Sequence, residues 1–339
     1  MRHKTDGTIQ KDLDDGIDTI GKKMTVCQLY AKQIRHRGNV RYNTKNGRKR
    51  LMKLLEEDKL GGCPIDSVKL SDAKEWAIRM KEKGISYKTI SNDKRSLKAA
   101  FYTAIQDDCI RKKPFDFQLN TVIEDDTEPK VPLTPAQEES FLSFAQNDKV
   151  YQKYYDELII LLGTGFRISE LCGLTDTDID FENRIINVDH QLLRSAETGY
   201  YIETPKTKSG IRQIPMSEKV YEAFNRVLKR SRGAKAVTID GYSNFLFLNR
   251  DGYPKTATNY DGMFRGLAKK YNKYHEEALP KVMTPHTLRH TFCTNMANAG
   301  MNPKALQYIM GHSNITMTLD YYAHATFDSA KAEMLRIAA

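Results

Sequence analysis

The feature that most constrains the fold of this chain is a stretch near its middle that suits neither a helix nor a strand. Residues 112–135 read KKPFDFQLNTVIEDDTEPKVPLTP, with four prolines, an acidic clump and no helical period. Proline fixes φ and removes a backbone donor, so such a stretch is typical of a linker between domains. Because the chain has 339 residues, each side is long enough to bury a core of its own. We therefore expect two domains.

The sequence before this stretch predicts a small, all-helical domain over 24–118. Apolar residues recur at helical spacing, Ser71 and Ser86 stand where N-caps would lie, and Gly61–Gly62 and Gly84 stand where helices would end. Residues 1–23 are polar and aperiodic, which indicates a flexible tail. The linker is assigned to 119–133.

This first domain carries an uneven excess of positive charge. No acidic residue occurs between Thr19 and Leu55, and the whole chain has a formal net charge of +10. Two explanations fit such a run equally well: a solvated, flexible arm, or a site for a polyanion such as DNA or RNA. The residues that we predict to contact nucleic acid are Arg48, Lys49, Arg50, Lys94 and Arg95.

The second domain, 134–339, is predicted to mix helices with short strands. Thr134, Pro135 and Gln137 form an N-cap, an N1 proline and a capping-box partner. YDELIILLGTGFRISELCGL reads as a helix, a glycine turn and a second helix, and β-branched segments then follow, with turn residues at 197–199 and 208–210. The expected fold class is mainly α with a small antiparallel β-sheet, the second domain being α+β.

Composition argues against secreted and membrane proteins. The five cysteines are odd in number, widely scattered and without a CxxC pair, which predicts reduced thiols in a cytoplasmic protein. The longest strongly apolar run, LIILL at 158–162, is far too short to cross a bilayer. We expect no membrane partner.

The segment HTLRHTFC predicts a site for an anion. His286, Arg289 and His290 stand at i, i+3 and i+4 directly after Thr284–Pro285, so they would share one face in the first turns of a helix. Free backbone N–H groups and the helix dipole there also favour an anion. Zinc is disfavoured, because threonine replaces the glutamate of the metalloprotease pattern and Arg289 would repel a cation. For His290 a structural role is preferred.

Other residues in this domain are candidates only in combination. Taken singly, each has an ordinary structural explanation as a turn residue, a solvated lysine, a helix cap or a packing residue. They are, in chain order, Arg167 and Glu170 in GTGFRISEL, Lys206 and Lys208 in PKTKSG near the tip of a predicted hairpin, His312 in MGHSN, and Tyr321 and Tyr322 in LDYYAHA.

The order of these motifs resembles that of tyrosine recombinases and phage-type integrases. An arginine after a glycine turn, a lysine in a β-hairpin, HxxR, GH and Tyr-x-His follow one another as in that family. Residues from about 134 onward resemble the catalytic domain, and those from about 24 resemble the helical, SAM-like core-binding domain. The run GHSNITMTLDYYAHATFDSA is especially similar to integrases of conjugative transposons.

The resemblance implies a role for each motif. Arg167 and Arg289 would hold the two non-bridging oxygens of the scissile phosphate, and His286 and His312 would donate hydrogen bonds to them. Glu170 would support this constellation. Fixed guanidinium and imidazolium donors suit a phosphodiester that gains negative charge in the transition state. No metal or other cofactor is then required.

Two assignments by resemblance have close competitors. The nucleophile is assigned to Tyr322, rather than to Tyr321, because the family places it two residues before a histidine, here His324. Lys206, which would protonate the departing 5′ oxygen, matches the family's Lys-Thr position, whereas Lys208 lies nearer the expected turn.

The resemblance implies a site-specific DNA recombinase that forms a 3′-phosphotyrosine and exchanges strands through a four-way junction. Its partners would be double-stranded attachment sites and three further copies in a homo-tetramer, with a C-terminal helix over 327–339 docked in trans, and the family also allows an accessory DNA-bending or excision protein. Transposon integrases often carry a further arm-binding domain, which residues 1–23 are too few to form, so a truncated form or the lack of that function is expected. Alternatives are a type IB topoisomerase-like enzyme and a non-catalytic DNA-binding protein.

Overall fold

The computed structural model describes residues 21–38, 40–128, 131–231, 237–322 and 334–335. The chain separates into two compact units, Met1–Pro129 and Lys130–Ala339. Most of the tail predicted over 1–23 and of the C-terminal helix predicted over 327–339 lies outside the described residues. Nothing in the described part combines the helix length and apolarity that a membrane span requires.

The first unit is helical throughout its described residues. Its helices are α1 (Val26–His36), α2 (Tyr42–Glu56), α3 (Leu70–Glu82) and α4 (Tyr87–Gln106), with short 3-10 turns at Gly21–Lys23 and Leu119–Thr121. The core packs around Trp76, whose ring meets Phe115 edge-on at 5.9 Å between centroids. Leu119 and Ile123, from the predicted linker, are also buried in this core.

Two helix ends in this unit differ from the sequence prediction. Helix α3 begins at Leu70 rather than after Ser71, because the Asp72 carboxylate accepts from the backbone N–H of Lys69 at 2.8 Å and caps the helix earlier. Helix α2 ends at Glu56, before the glycine pair. Gly61 instead allows close packing, since a Cβ there would lie 2.0 Å from the carbonyl oxygen of Leu55.

The second unit contains eight helices and five strands within its described residues. The helices are α5 (Pro135–Asn147), α6 (Tyr155–Thr164), α7 (Ile168–Gly173), α8 (Glu218–Ser231), α9 (Ala257–Tyr274), α10 (Pro285–Asn298), α11 (Pro303–Met310) and α12 (Thr316–Leu319). The strands are β1 (Ile179–Asp180), β2 (Ile185–Val188), β3 (Gln191–Ser195), β4 (Gly199–Glu203) and β5 (Arg212–Pro215).

The strands form two separate antiparallel sheets. One has the order β1-β2-β5, and the other is the hairpin β3-β4 with Ser195 opposite Gly199. The turn predicted at 197–199 is therefore correct, whereas the hairpin predicted around PKTKSG is wrong. Strand β5 pairs with β2 and not with β4, because this register buries Arg212 and Ile214 against the core. Lys206 and Lys208 lie in the connection between the two sheets.

The core of the second unit surrounds helix α6. Leu158, Leu161 and Phe166 are fully buried there, together with Phe264 of α9 and Ile186 of β2. The predicted capping box at the start of α5 is confirmed, with Thr134 and Gln137 each accepting a backbone N–H of the other at 3.1 Å. The predicted fold class, mainly α with small antiparallel sheets, is also confirmed.

Candidate active site

A tight glycine turn positions Arg167 at the start of helix α7. Gly165 ends α6 in the left-handed region at φ 64°, and a Cβ there would lie 2.5 Å from the ring of Phe292. Arg167 follows as the N-cap residue of α7. Its guanidinium donates to Oε1 of Glu170 at 2.7 Å, and its backbone N–H donates to Oε2 at 2.9 Å. The side chain and the backbone of Arg167 are thus held by one carboxylate.

Three arginines converge on three successive carbonyl groups at the end of helix α11. Arg212 donates to Ile309 O at 2.6 Å, Arg289 donates to Met310 O, and Arg167 donates to Gly311 O at 3.0 Å. The helix ends there with Gly311 in the left-handed region at φ 62°. The last carbonyls of a helix lack intrahelical partners and carry partial negative charge, so they suit cationic donors.

Glu170 is the one carboxylate that contacts two of these arginines. It is 3% exposed and accepts from both ends of the Arg212 guanidinium, at 3.0 and 2.8 Å, in addition to Arg167. Burial by itself would raise the pKa of Glu170. The hydrogen bonds and charge of Arg212, with the charges of Arg167 and Arg289, outweigh burial and lower that pKa to about 2. Glu170 is therefore ionised at neutral pH.

Sequence reasoning missed Arg212. The segment IRQIPM alternates exposed and buried residues, which places Arg212 on the inner face with Ile214 and Met216. An arginine at the inward positions of an alternating strand must find partners in the interior, because an unpaired buried charge is very costly. That alternation was the available signal.

The predicted trio in helix α10 separates into three environments. His286 is exposed, Arg289 is 6% exposed, and His290 is half-buried. The Arg289 guanidinium donates to Gly165 O as well as to Met310 O. Burial, followed by the charge of Arg167, lowers the pKa of Arg289 to about 9, so Arg289 remains a cation at neutral pH.

His312 lies directly after the three carbonyls and is neutral. It is 5% exposed, and its Nδ1 lies 2.9 Å from the hydroxyl of Thr318 in α12. Burial and the charges of Arg289, Arg167 and Arg212 lower the pKa of His312 to about 4. In the DNA-free site, burial and three nearby guanidiniums thus favour the neutral form of His312, whereas the sequence led us to expect an imidazolium. The Thr318 hydroxyl can donate to Nδ1 or accept from it, so this contact orients the ring in either neutral tautomer.

The two tyrosines face different partners. The Tyr321 hydroxyl lies 3.4 Å from Nε2 of His290, and burial raises the pKa of Tyr321 to about 12. The Tyr322 hydroxyl donates to the carbonyl of Met301, and burial raises its pKa as well. His324, which guided the choice of Tyr322, lies outside the described residues. If Tyr322 is the nucleophile, as the sequence predicts, its hydroxyl has to leave the Met301 carbonyl first.

The two candidate lysines are exposed, and the structure leaves the choice between them open. Lys206 makes no hydrogen bond or ion pair to any described residue, and Lys208 begins a 3-10 turn, Lys208–Gly210. The carbonyl of Gly210 accepts from Arg212 at 3.2 Å. The connection that carries both lysines is therefore fixed at one end to the arginine cluster.

The balance of charge defines what this site binds. Among the described residues, Arg167, Arg212 and Arg289 surround the carboxylate of Glu170, and the neighbouring His312 is neutral. Three positive charges against one negative charge leave a net positive field, and Arg167 is still partly exposed. Guanidiniums offer paired donors that match two oxygens of one phosphate. The arrangement is suited to hold a phosphodiester.

A possible metal-ligand group lies elsewhere in the same unit. Ligand atoms of Asp178, Asp189 and His190 lie within 4.8 Å of one another. Both ring nitrogens of His190 are already used, Nδ1 with Asp189 at 2.5 Å and Nε2 with the carbonyl of Gly173 at 2.7 Å. Hydrogen bonding accounts for this group, and we assign no metal to it.

The predicted DNA contacts of the first unit have unequal freedom to bind. Arg50 forms a bidentate pair with the buried Asp93, at 2.6 and 2.8 Å. Lys94 donates to the carbonyl of Phe117, and Arg48 donates to the carbonyl of Arg37 at 3.1 Å. Lys49 and Arg95 are exposed.

An exposed face of helix α4 was not singled out from the sequence. Lys88, Asn92 and Arg95 are exposed and stand at i, i+4 and i+7, so they lie on one side of the helix. The signal was a helical period in polar residues, which is weaker than a charge run because any solvated face shows it.

Comparisons with known proteins agree with this geometry. Residues 132–329 match the model of the phage integrase family. The transposase from transposon Tn916 of Enterococcus faecalis is 68% identical over 329 residues, which cover 97% of this chain and 81% of the relative. A solved structure of the Tn1549 transposon integrase in complex with a circular intermediate DNA is 77% identical, with a TM-score of 0.88, and the match covers 93% of this chain and 99% of that one.

A second solved structure, of the Tn1549 integrase in complex with transposon right end DNA, is also 77% identical, with a TM-score of 0.88 and coverage of 93% and 100% of the two chains. The family model spans more than half of this chain, and the Tn916 relative is far above the identity at which families diverge. The chain belongs to the phage integrase family of tyrosine recombinases, enzymes that cleave and rejoin DNA.

Proposed function

We propose that this protein is the integrase of a conjugative transposon and that it cuts duplex DNA at the element's ends through the arginine cluster and Tyr322. The observation that carries the proposal is the set of three arginines held by Glu170 and by the carbonyls of 309–311. The relatives are named as transposon transposases, and the solved homologues hold transposon end or circular intermediate DNA.

Arg167 and Arg289 bind the non-bridging oxygens of the scissile phosphate. Each guanidinium has five N–H donors, so the bonds to Glu170 and to backbone carbonyls fix each arginine while leaving other donors for the phosphate. Because these charges are held before the substrate arrives, little reorganisation is needed as negative charge grows. The contacts seen in the site therefore support catalysis by preorganisation.

His286 and His312 complete the donor set. The hydroxyl of Thr318 holds the His312 ring through Nδ1, and we expect the other nitrogen, Nε2, to donate to the phosphate. His286 is exposed in the first turn of α10, where backbone N–H groups also favour an anion. We expect His286 to reach the phosphate only when DNA is bound.

Cleavage exchanges one phosphodiester for another. The Tyr322 oxygen bonds to phosphorus, the bond from phosphorus to the 5′ oxygen breaks, and Lys206 gives that oxygen a proton. Because burial raises the pKa of Tyr322, its proton must pass to water as the new bond forms. The resulting 3′-phosphotyrosine keeps the bond energy, so a 5′ hydroxyl of another strand can reverse the step without a cofactor.

Recombination requires partners beyond one chain. We propose that four copies assemble on two attachment sites, with the segment 327–339 docked on a neighbouring copy, and that an accessory DNA-bending protein sets direction. Of that segment only Met334 and Leu335 are described, and their side chains are 70% and 64% exposed. Because its substrate is the DNA of a mobile element, we expect the protein to act in the cytoplasm.

The decisive experiment traps the covalent intermediate on a nicked attachment-site duplex and identifies the modified residue by mass spectrometry. We expect an SDS-stable adduct in excess EDTA, its loss in Tyr322→Phe with DNA binding intact, and its retention in Tyr321→Phe. The reverse result would assign the nucleophile to Tyr321. Supercoil relaxation without strand exchange would favour the topoisomerase-like activity, and binding without any adduct would favour a non-catalytic protein.

A further inference from the structure

We infer that Arg212 is a positioning residue for DNA cleavage, which sets Arg167 and the 309–312 turn through Glu170 and Ile309 without touching the DNA. This inference rests on the proposed assignment of Arg167 to the scissile phosphate. It adds to the site a residue that acts only through others.

Arg212 is fully enclosed. It begins strand β5 opposite Val188 of β2, and its side chain has no exposed surface. Its Nε donates to Ile309 O at 2.6 Å, and its two terminal nitrogens donate to the Glu170 carboxylate at 3.0 and 2.8 Å, with a further bond to Gly210 O at 3.2 Å. These four bonds use four of its five N–H donors, and because the side chain has no exposed surface, a bound phosphate cannot reach the fifth.

The partners of Arg212 belong to three segments that the proposed chemistry needs. Glu170 lies in α7 beside Arg167, Gly210 follows the connection that carries Lys206, and Ile309 lies in the last turn of α11, just before His312. These segments are distant in sequence, and Arg212 bonds to all three. A single buried guanidinium therefore fixes the positions of the three segments relative to one another.

Glu170 links Arg212 to Arg167, because its carboxylate accepts hydrogen bonds from both residues. Its Oε1 accepts from Arg167 at 2.7 Å and from Arg212 at 3.0 Å, while its Oε2 accepts from the Arg167 backbone and from Arg212 at 2.8 Å. Each oxygen is thus shared between the two arginines. Without the fork of Arg212, the carboxylate can rotate, and Arg167 would rotate with it.

The turn before His312 packs directly against the same guanidinium. A Cβ on Gly311 would lie 3.1 Å from a terminal nitrogen of Arg212 and 3.0 Å from Ser209 O. The backbone of 309–311 is therefore held by a hydrogen bond at Ile309 and by close packing at Gly311. Movement of Arg212 would displace the two carbonyls that hold Arg289 and Arg167.

Two other arginine–carboxylate pairs are matched controls for a purely structural role. Arg79 forms a bidentate pair with buried Asp58 at 2.8 and 2.7 Å in the first unit, and among the described residues the carboxylate of Asp58 otherwise accepts only from the backbone N–H of Leu60. Arg226 pairs with buried Asp156 at 2.8 Å in the second unit, and Arg230 pairs with the same carboxylate at 2.7 Å. We propose no catalytic role for any of these residues.

The test is a double-variant cycle on two substrates. Single-turnover cleavage is measured for wild type, Arg212→Lys, Arg167→Ala and the double variant, on a normal scissile phosphate and on a methylphosphonate, which lacks one negative charge. Lysine keeps the charge of Arg212 but loses its fork, and a misplacement of about 1 Å at a reacting group can cost on the order of 10²-fold in rate. DNA affinity and melting temperature are recorded for each variant.

We expect Arg212→Lys to slow cleavage of the normal phosphate on the order of 10²-fold with unchanged DNA affinity. The double variant should be slower than Arg167→Ala by much less than the factor that Arg212→Lys costs alone, because the part of the effect that runs through Arg167 is already lost. The methylphosphonate should reduce the defects of both single variants together. Arg79→Lys and Arg226→Lys should lower only the melting temperature. If Arg212→Lys fails to fold, Glu170→Asp tests the same link, because it keeps the charge and withdraws the carboxylate.

If the rate reductions of the two single variants multiplied in the double variant, Arg212 would not act through Arg167. The same conclusion would follow if the methylphosphonate left the defect of Arg212→Lys unchanged. Normal cleavage by Arg212→Lys would also overturn the inference. If Arg167→Ala itself cleaved the normal phosphate at the wild-type rate, the proposed site would be wrong, which distinguishes that failure from the failure of Arg212 alone.

Discussion

The two units use the same chemical pair, arginine with a buried carboxylate, in opposite ways. In the first unit, Asp58 is paired with Arg79 and Asp93 with Arg50, so each negative charge meets one positive charge. In the second unit, Glu170 contacts two arginines, and a third, Arg289, lies close enough to lower its pKa. A balanced pair joins helices, whereas an unbalanced cluster leaves charge for a ligand.

The pKa directions show the same contrast. Burial dominates at Asp93 and raises its pKa although Arg50 is bonded to it. Burial also acts on Glu170, but Arg212 and the other arginines lower that pKa to about 2. One arginine can be enough to keep a buried acid ionised, because hydrogen bonds from Arg79 and Leu60 lower the pKa of Asp58 despite its burial. What distinguishes Glu170 is the excess of cations around it, and that excess suits the second cluster to a phosphate.

The largest expected effect is a loss of stability when the Glu170 carboxylate is removed. Glu170→Gln leaves buried guanidiniums without their counter-charge and should destabilise the protein by about 3–5 kcal/mol, the usual cost of breaking a buried pair. Asp93→Asn should cost less, because burial already disfavours the ionised form of Asp93. Urea unfolding of both variants measures the difference, and equal costs would remove the contrast between the units.

The Glu170 carboxylate also determines how stability should change as the pH falls. Its pKa falls from 4.5 in the unfolded chain to about 2 in the folded one, so its contribution to stability is fully present above about pH 4.5 and is lost as the pH falls toward 2. Glu170→Gln should therefore flatten the stability profile between these values. A profile as steep as that of the wild type would assign the acid sensitivity to other groups.

The next effect concerns catalysis rather than stability. Arg167→Lys keeps a positive charge but loses the fork that binds Glu170 and the phosphate together, so cleavage should fall on the order of 10²–10³-fold. Arg79→Lys should leave the cleavage rate of the folded protein unchanged, because Arg79 and Asp58 belong to the core of the first unit and we propose no catalytic role for either. Adduct formation under single-turnover conditions checks both variants, and near-normal cleavage by Arg167→Lys would return Arg167 to a structural role.

Short sequence patterns correctly predicted the helix ends and turns that depend only on neighbouring residues. The capping box of Thr134, the glycine turn at Gly165 and the helix start at Pro285 all depend on residues within one turn, and all three are found. The pairing of β5 with β2 depends on which face is buried, which a segment cannot reveal alone. That is why the hairpin around Lys206 was predicted and is absent.

The site shows the same limit. The motif order identified Arg167, Arg289 and His312, which the structure brings together at the end of α11. It led us to expect a charged His312, whereas burial and three guanidiniums, which meet only in the folded chain, lower the pKa of His312 to about 4. Nor did it reveal Arg212, whose partners lie 42 and 97 residues away.

A smaller effect follows from the neutral His312. Its pKa falls from 6.5 to about 4 on folding, so the stability due to its neutral form is fully present above about pH 6.5 and is lost as the pH falls through 4. We expect the His312 resonance in an NMR titration to stay unchanged between pH 8 and 6. Titration near pH 6.5 would instead restore the imidazolium predicted from the sequence.

The smallest expected effect separates free from paired cations in the first unit. Arg95 is exposed on the face of α4 that also presents Lys88, and it makes no hydrogen bond to another described residue, whereas Arg50 is committed to Asp93. If Arg95 neutralises one phosphate, Arg95→Ala should reduce the slope of log affinity against log salt by about 0.9. Arg50→Ala should leave the slope unchanged and lower the melting temperature, since it leaves Asp93 buried without its partner.

Titrations of attachment-site duplex at several salt concentrations, with the melting curve of each variant, measure both effects. Equal slopes for wild type and Arg95→Ala would mean that this face of α4 does not meet the DNA backbone, and a reduced slope for Arg50→Ala would show that the pair with Asp93 opens when DNA binds.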